Sequence, residues 1–337
     1  MSSVIFYTEE EVRSLVTKRE GEVKFGEVLS VAQDWQSLQT SKHPYVLLGI
    51  PEDIGVRANY GIPGTSQAWT QALRMLCNIQ ENEFTQPERI LLLGEIDCRD
   101  EVSALAPVAK DDALNTQRLG SLVSNIDVKV SEVVTSIIKA GKIPILIGGG
   151  HNNSYGNLKG ASLALGAPVN CINFDAHTDF RALEHRHSGN GFSYAFNEGY
   201  LGKYFIFGLH QNYTSQSVFD AMKKHKDRIQ FARFDSLLQE NNSSFEGFLQ
   251  EAANFCGTSP FGLELDMDAI AEMGSSAQSP CGFSVMEARS FVRYFAAKGH
   301  CSYIHICEGN PSKESFANQV AKTIAYLISD VISVEPS

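Results

Sequence analysis

The 337-residue chain is short of positive charge: 28 Lys and Arg stand against 39 Asp and Glu, a formal net charge of −11. An acidic surface attracts neither nucleic acid nor an anionic membrane, which excludes both as partners. Long apolar runs are missing as well. No stretch approaches the ~18 consecutive apolar residues of a membrane span. The N-terminus carries Glu9, Glu10 and Glu11 where a secretory leader would place a basic and then an apolar segment. No two cysteines have CxxC spacing. The seven present (77, 98, 171, 256, 281, 301 and 307) are odd in number, scattered and mostly set in apolar runs, the pattern of reduced core residues. No break in composition divides the chain. These absences predict a soluble cytoplasmic protein, with residues 1–44 as an N-terminal extension and residues 45–337 as one domain.

What is present is concentrated in residues 173–181, Asn-Phe-Asp-Ala-His-Thr-Asp-Phe-Arg. An apolar run over residues 169–174 reads as a buried strand, after which Asp175, His177 and Asp179 follow at two-residue intervals. In extended backbone that spacing puts all three side chains on one face. Three ionisable groups at the end of an apolar strand are costly to bury unless a cation neutralises them. Two other segments have matching chemistry. Residues 142–147 are apolar and end in Gly148-Gly149-Gly150-His151, a turn whose glycines let the backbone crowd a site and aim a histidine from the strand end. Residues 261–268, FGLELDMD, form another apolar strand with Asp266 and Asp268 two apart, hence expected on one face. The chain between residues 142 and 174 reads strand, helix, strand, the βαβ unit of a parallel sheet, so His151 and Asp175 are expected at neighbouring strand ends.

The inventory is two histidines and four aspartates, with no cysteine. Hard carboxylates with imidazoles suit Mn²⁺ ahead of Fe²⁺, Co²⁺ or Zn²⁺. Six ligands are too many for one tetrahedral ion. Two ions roughly 3.5–4 Å apart fit the count and imply hydrolysis.

GGGH at 148–151, DAHTD at 175–179 and DMD at 266–268, followed by Glu308-Gly309-Asn310-Pro311, resemble the ureohydrolase superfamily of arginase, agmatinase and formimidoylglutamase from about Val46 onward. The resemblance implies a three-layer αβα fold around an eight-stranded, mostly parallel sheet, with a dinuclear manganese centre. It also implies a trimeric or hexameric assembly and hydrolysis of a guanidinium or amidine carbon. Carried over by position, His151 and Asp179 would bind one ion and His177 and Asp268 the other. Asp175 and Asp266 would bridge both, and Glu308 would accept hydrogen bonds from the substrate's nitrogens.

Within that superfamily the phrase Asp53-x-Gly55-Val56-Arg57-x-Asn59-x-Gly61 resembles formimidoylglutamases more than arginases. Arginases carry a substrate-touching asparagine where this chain has Arg181. Their proton-shuttling histidine falls here on Phe192, although Ser188-Gly189-Asn190 matches the loop before it. Extra arginines would repel a guanidinium, whereas the two carboxylates of N-formimidoylglutamate suit planar arginine forks. Arg57, Arg181 and Arg186 are therefore candidates to hold that substrate, with Asn59, Ser188, Asn190 and Gln211 beside them; Arg57 could instead pair with a local carboxylate. His185 and His187 are candidate proton carriers or substrate contacts, and Ser279 or Cys281 could reach the pocket wall. His305 reads as a satisfied core histidine. The DxDxxDP phrase of relatives lacks its third aspartate in Asp268-Ala269-Ile270-Ala271-Glu272. The reading favours hydrolysis of N-formimidoyl-L-glutamate to L-glutamate and formamide, with Asp179 and Glu308 catalytic. Its alternatives are an arginase or other guanidino-compound hydrolase, and a non-catalytic family member acting as a binding protein.

Overall fold

The protein is described by a computed structural model covering residues 3–105, 113–238 and 243–335. Among the described residues ten strands form one sheet: β1 (Val4–Phe6), β2 (Ser30–Val31), β3 (Tyr45–Gly49), β4 (Ile90–Ile96), β5 (Ile143–Ile147), β6 (Val169–Phe174), β7 (Leu201–Leu209), β8 (Ile229–Arg233), β9 (Phe261–Asp266) and β10 (Cys301–Cys307). Their order is β1-β4-β3-β5-β10-β9-β6-β7-β8, with β2 also on β4. The strands from β4 to β8 along this order are the eight parallel ones expected. The other two come from residues 1–44, which add an antiparallel strand (β1) and a short parallel one (β2) to the edge of β4. Gly94, at φ +128°, permits the first contact, because a Cβ there would stand 2.0 Å from the carbonyl oxygen of Ile5.

Strands β3, β6 and β9 are buried along their whole length, as expected of parallel strands covered on both faces. On one face pack the helices Ala68–Cys77, Phe245–Cys256, Val285–Ala296 and Gln319–Ile332, over a core containing Trp69, Phe174, Phe207 and Phe291. On the other lie Ala113–Lys139 and Asn153–Leu165, over Val130, Ile137, Phe192 and Tyr204. Local chemistry sets the helix ends. Thr8 and Ser284 each close a capping box with a glutamate three residues on. The helix Phe245–Cys256 starts where the Ser244 side chain accepts the Gly247 amide. The final helix starts at Gln319, because Asn318 is left-handed (φ 64°) and Glu314 accepts from the Asn318 and Val320 amides.

The expectation that His151 and Asp175 stand at neighbouring strand ends is corrected by the sheet order. β10 and β9 are inserted between β5 and β6, so the four segments that matter leave four adjacent strands, β5-β10-β9-β6. Each leaves from the C-terminal end, where open parallel sheets build their sites.

Candidate metal centre

Two clusters of ligating atoms meet above these strand ends. The first joins His151, Asp175, Asp179 and Asp266; the second joins Asp175, His177 and Asp268. His151 Nδ1 lies 2.9 Å from Asp179 Oδ2, 3.1 Å from Asp266 Oδ2 and 3.3 Å from Asp175 Oδ2. His177 Nδ1 lies 3.1 Å from Asp268 Oδ2 and 3.6 Å from Asp175 Oδ1. Asp175 thus serves both clusters, one oxygen to each, while Asp266 enters only the first; its Oδ1 accepts the Asp268 amide at 2.8 Å.

The convergence has a different backbone origin from the one expected. β6 ends at Phe174 and β9 at Asp266, so the aspartates and His177 beyond them sit on turns and not on one pleated face. Asp175 Oδ1 accepts the His177 amide at 2.6 Å, which folds the segment back on itself. Asp179 is held at φ +40°, a left-handed conformation that Asp adopts more readily than most residues. Asp268 stands on a 3₁₀ turn, Met267–Ala269. On the β5 side Gly148 and Gly149 take φ of 93° and 72°. A Cβ on Gly149 would fall 2.4 Å from Asn153 Nδ2 and 2.8 Å from Glu52 Oε1.

Glu52, buried on the loop after β3, explains that crowding. It accepts from the Gly150 amide (3.1 Å), Asn153 Nδ2 (2.7 Å), Asn152 Nδ2 (3.2 Å) and the Ile54 amide (2.6 Å). Burial pushes its carboxyl above the usual range, and these donors oppose the shift. His151 is thereby fixed at its backbone, whose N–H donates to Glu308 Oε1 at 2.7 Å. The Ser276 hydroxyl donates to the other Glu308 oxygen. Glu308 itself sits at φ +60°, and burial raises its carboxyl to about 8.

The residues present fit a pair of divalent cations. Donor atoms about 2.1 Å from one ion stand roughly 3 Å apart at right angles, the spacing found around His151 Nδ1. Burial would raise Asp175, yet hydrogen bonds from His151 and His177 outweigh it and hold it well below the usual range. Burial and the neighbouring Asp268 and Asp175 carboxylates push Asp266 well up. Asp268 Oδ1 is buried without a hydrogen-bond partner. Added positive charge relieves the last two.

A cavity of about 740 Å³ opens over the clusters, lined by His177, Asp179, Asp266, Asp268 and Glu308 at its base. Asn59, Arg181 and Ser188 line its wall, linked in a row: Arg181 Nη1 donates to Asn59 Oδ1 (2.7 Å) and Asn59 Nδ2 to Ser188 Oγ (3.1 Å). Arg57, Asn190 and Gln211 are not brought to this cavity. Arg57 makes a two-pronged pair with Asp53 at 2.6 and 3.0 Å, its local alternative. Asn190 ties its own loop together, accepting from the His187 amide and donating to His185 O. Gln211 accepts from Arg233 on the surface. Arg186 is buried against Asp127 and the Asn152 carbonyl, with Tyr155 and Tyr194 over its guanidinium. His185 bonds to Ala58 O and His187 to Glu184. Ser279 bonds to Cys281 O, and the lining comes from Ser276 and Ala277 instead. Phe192 packs edge-on against His151 at 5.1 Å and stacks on Tyr204.

The sequence reading missed Glu52, Glu264, Ser276 and Tyr213. Glu264 had a signal: a carboxylate in the middle of an apolar strand needs a buried partner. It has one in His305, whose Nδ1 is 2.5 Å away and whose Nε2 meets Gly148 O at 3.1 Å. Burial would raise Glu264, but His305 and His151 outweigh it and hold it at about 2. Tyr213 stacks on the His177 ring at 5.2 Å.

The sequence pattern of the arginase family matches residues 43–333. The chain belongs to the arginase family. The family's formimidoylglutamase of Geobacillus sp. is 25% identical over 314 residues, which span 89% of this chain and 86% of that protein. Formimidoylglutamase of Corynebacterium efficiens is 27% identical over 225 residues, 64% of this chain and 68% of that one. In fold, the chain is similar to Trypanosoma cruzi formiminoglutamase with Mn²⁺ (TM-score 0.73, 18% identity, 94% of this chain and 100% of that one). It is equally similar to formimidoylglutamase from Bacillus subtilis (TM-score 0.73, 18% identity, covering 94% and 93%).

Proposed function

We propose that this family member hydrolyses a linear amidine, N-formimidoyl-L-glutamate, to L-glutamate and formamide, with two Mn²⁺ per subunit. The observation that carries the reading is the pair of ligand clusters sharing Asp175 at the floor of a cavity whose wall presents Arg181. The names of its relatives point the same way.

His151, Asp179 and Asp266 would hold one ion, His177 and Asp268 the other, and Asp175 both. Bound there, divalent ions lower the pKa of water toward neutrality and so supply hydroxide. The chain's own residues do the rest. Glu308, fixed by the His151 amide and Ser276, accepts the substrate's amidinium N–H groups and turns its carbon toward the attacking oxygen. Asp179 orients that oxygen and passes its proton to the leaving amine, since the shuttle position is taken by buried Phe192. Arg181, steadied by Asn59, receives a substrate carboxylate, and Ser188 adds a hydroxyl to the same wall.

An arginase or other guanidino-compound hydrolase is the competing reading, and the cationic Arg181 in the wall disfavours it for a guanidinium substrate. Among the described residues no helix is long and apolar enough to cross a membrane. Cytoplasmic location, a place in histidine breakdown and a trimeric or hexameric assembly belong to this proposal too, the last measurable by light scattering. The deciding assay compares N-formimidoylglutamate, arginine, agmatine and guanidinobutyrate, with Mn²⁺ and with chelator. Formamide release from the first, abolished by chelation, is expected; urea release from arginine would overturn the assignment.

A further inference from the structure

The two histidines of the centre are supported in different ways. His177 lies with its ring stacked on Tyr213 and partly open to the cavity. His151 is wholly buried, and its Nε2 has no hydrogen-bond partner within range. With Nδ1 facing the oxygens of Asp175, Asp179 and Asp266, a cation there needs the lone pair on Nδ1 and the proton on Nε2. The carboxylate facing that proton is Glu264, with Oε2 3.5 Å from Nε2, a few tenths of an ångström beyond ordinary hydrogen-bond length. Cys307 is the other polar group at hand, and its thiol points to Leu265 O at 3.7 Å.

Glu264 is itself held in place. Its Oε2 is met by His305 Nδ1 at 2.5 Å and its Oε1 by Asn157 Nδ2 at 3.2 Å. His305 reaches on to the carbonyl of Gly148, in the same turn that delivers His151. Glu264 also lies two residues before Asp266 on β9. One rigid frame thus sets both the turn carrying His151 and the carboxylate behind its ring.

We propose that Glu264 is a positioning residue that fixes the His151 ring and tautomer for one of the two cations, while the other, resting on His177 and Tyr213, does not depend on it. The inference rests on the dinuclear reading above. Carboxylates behind a ligating histidine contribute about 10–100-fold in metal affinity, and here that contribution falls on one ion.

The test is a Mn²⁺ titration of the native protein and of Glu264→Gln, read from the electron paramagnetic resonance signal of free Mn²⁺. The native protein is expected to take up two ions; in the variant one of them binds about 10–100-fold more weakly, and the second is unchanged. Glu264→Asp, which keeps the anion but shortens its reach, is expected to weaken the same ion less. If the Gln variant does not fold, the Asp variant carries the test, and selective loss of one ion supports the proposal. Unchanged affinity at both ions, equal loss at both, or failure of both variants to fold overturns it. Native protein that takes up no ion pair refutes the dinuclear reading instead, so the two failures are separable.

Discussion

The backbone N–H of His151 donates to Glu308 Oε1 at 2.7 Å, so a residue of the ligand clusters and the one proposed to face the substrate's nitrogens share a hydrogen bond. The second Glu308 oxygen is held only by the Ser276 hydroxyl among the described residues. Ser276→Ala should therefore free one side of Glu308 and leave His151 in place. A hydrogen bond to a charged group is worth roughly 1.5–3 kcal/mol, so kcat/KM for the amidine should fall at least about tenfold. Manganese content should stay at the native value. Unchanged kinetics would remove Ser276 from the site.

Asp179→Asn tests the proton relay. Asn tolerates the left-handed φ of +40°, so the variant should fold, and its turnover is compared with native at equal manganese content. Turnover should drop by about 10²–10⁴, the usual contribution of a positioned acid or base. Rates near native would end the assignment of Asp179 as the relay.

Arg181 and Arg57 should behave differently, although the sequence offers both as carboxylate forks. Arg181→Ala should raise KM for N-formimidoylglutamate about 10–100-fold, the loss of one charge-assisted pair. Arg57→Ala removes a partner of Asp53 outside the cavity and should leave KM within about twofold. Steady-state kinetics on the two variants decide it.

Glu52→Gln should destabilise the protein from outside the cavity. The N–H groups of Gly150, Ile54, Asn152 and Asn153 all point at the carboxylate, and an amide NH₂ among them leaves donors unpaired. Each buried unpaired donor costs about 1–3 kcal/mol, which urea unfolding would register as a lower midpoint.

His187 should make stability fall with acid. Burial pushes its imidazole down to about 4 against the opposing pull of Glu184, and its Nδ1 must stay unprotonated to accept the Gly189 amide at 3.0 Å. As pH drops below about 6.5 the unfolded chain takes up this proton first. Stability is therefore whole above 6.5 and is lost as pH falls through 4, by on the order of 3 kcal/mol in the limit. His187→Gln should flatten that part of the stability-versus-pH curve; an unchanged slope would place the proton elsewhere.

Much of this was written legibly in the chain. The apolar runs before residues 148, 175 and 266 are strands buried along their length except at Ile143, and the ligating residue types follow close behind. The order of those strands was not legible. A βαβ reading makes β5 and β6 neighbours, and only the long-range pairing of β10 with both β5 and β9 separates them. For the same reason the two-residue spacing predicted a shared pleat, whereas backbone amides bonding to Asp175 and Asp266 build turns. Arg57 and Arg186 illustrate the limit at side chains. Their charge is visible in sequence, but Asp53 and Asp127 claim them in space. Glu264, the acid in the middle of its strand, was visible and passed over.

β10 is the last strand in chain order, yet it occupies a central place between β5 and β9. Residues up to 268 carry all six aspartate and histidine donors, and of the strands bearing them β6 and β9 pair directly, but β5 is separated from β9 by the width of β10. The cluster that takes in His151 therefore depends on residues 301–307 filling the gap between β5 and β9, whereas the cluster of Asp175, His177 and Asp268 needs only β6 and β9.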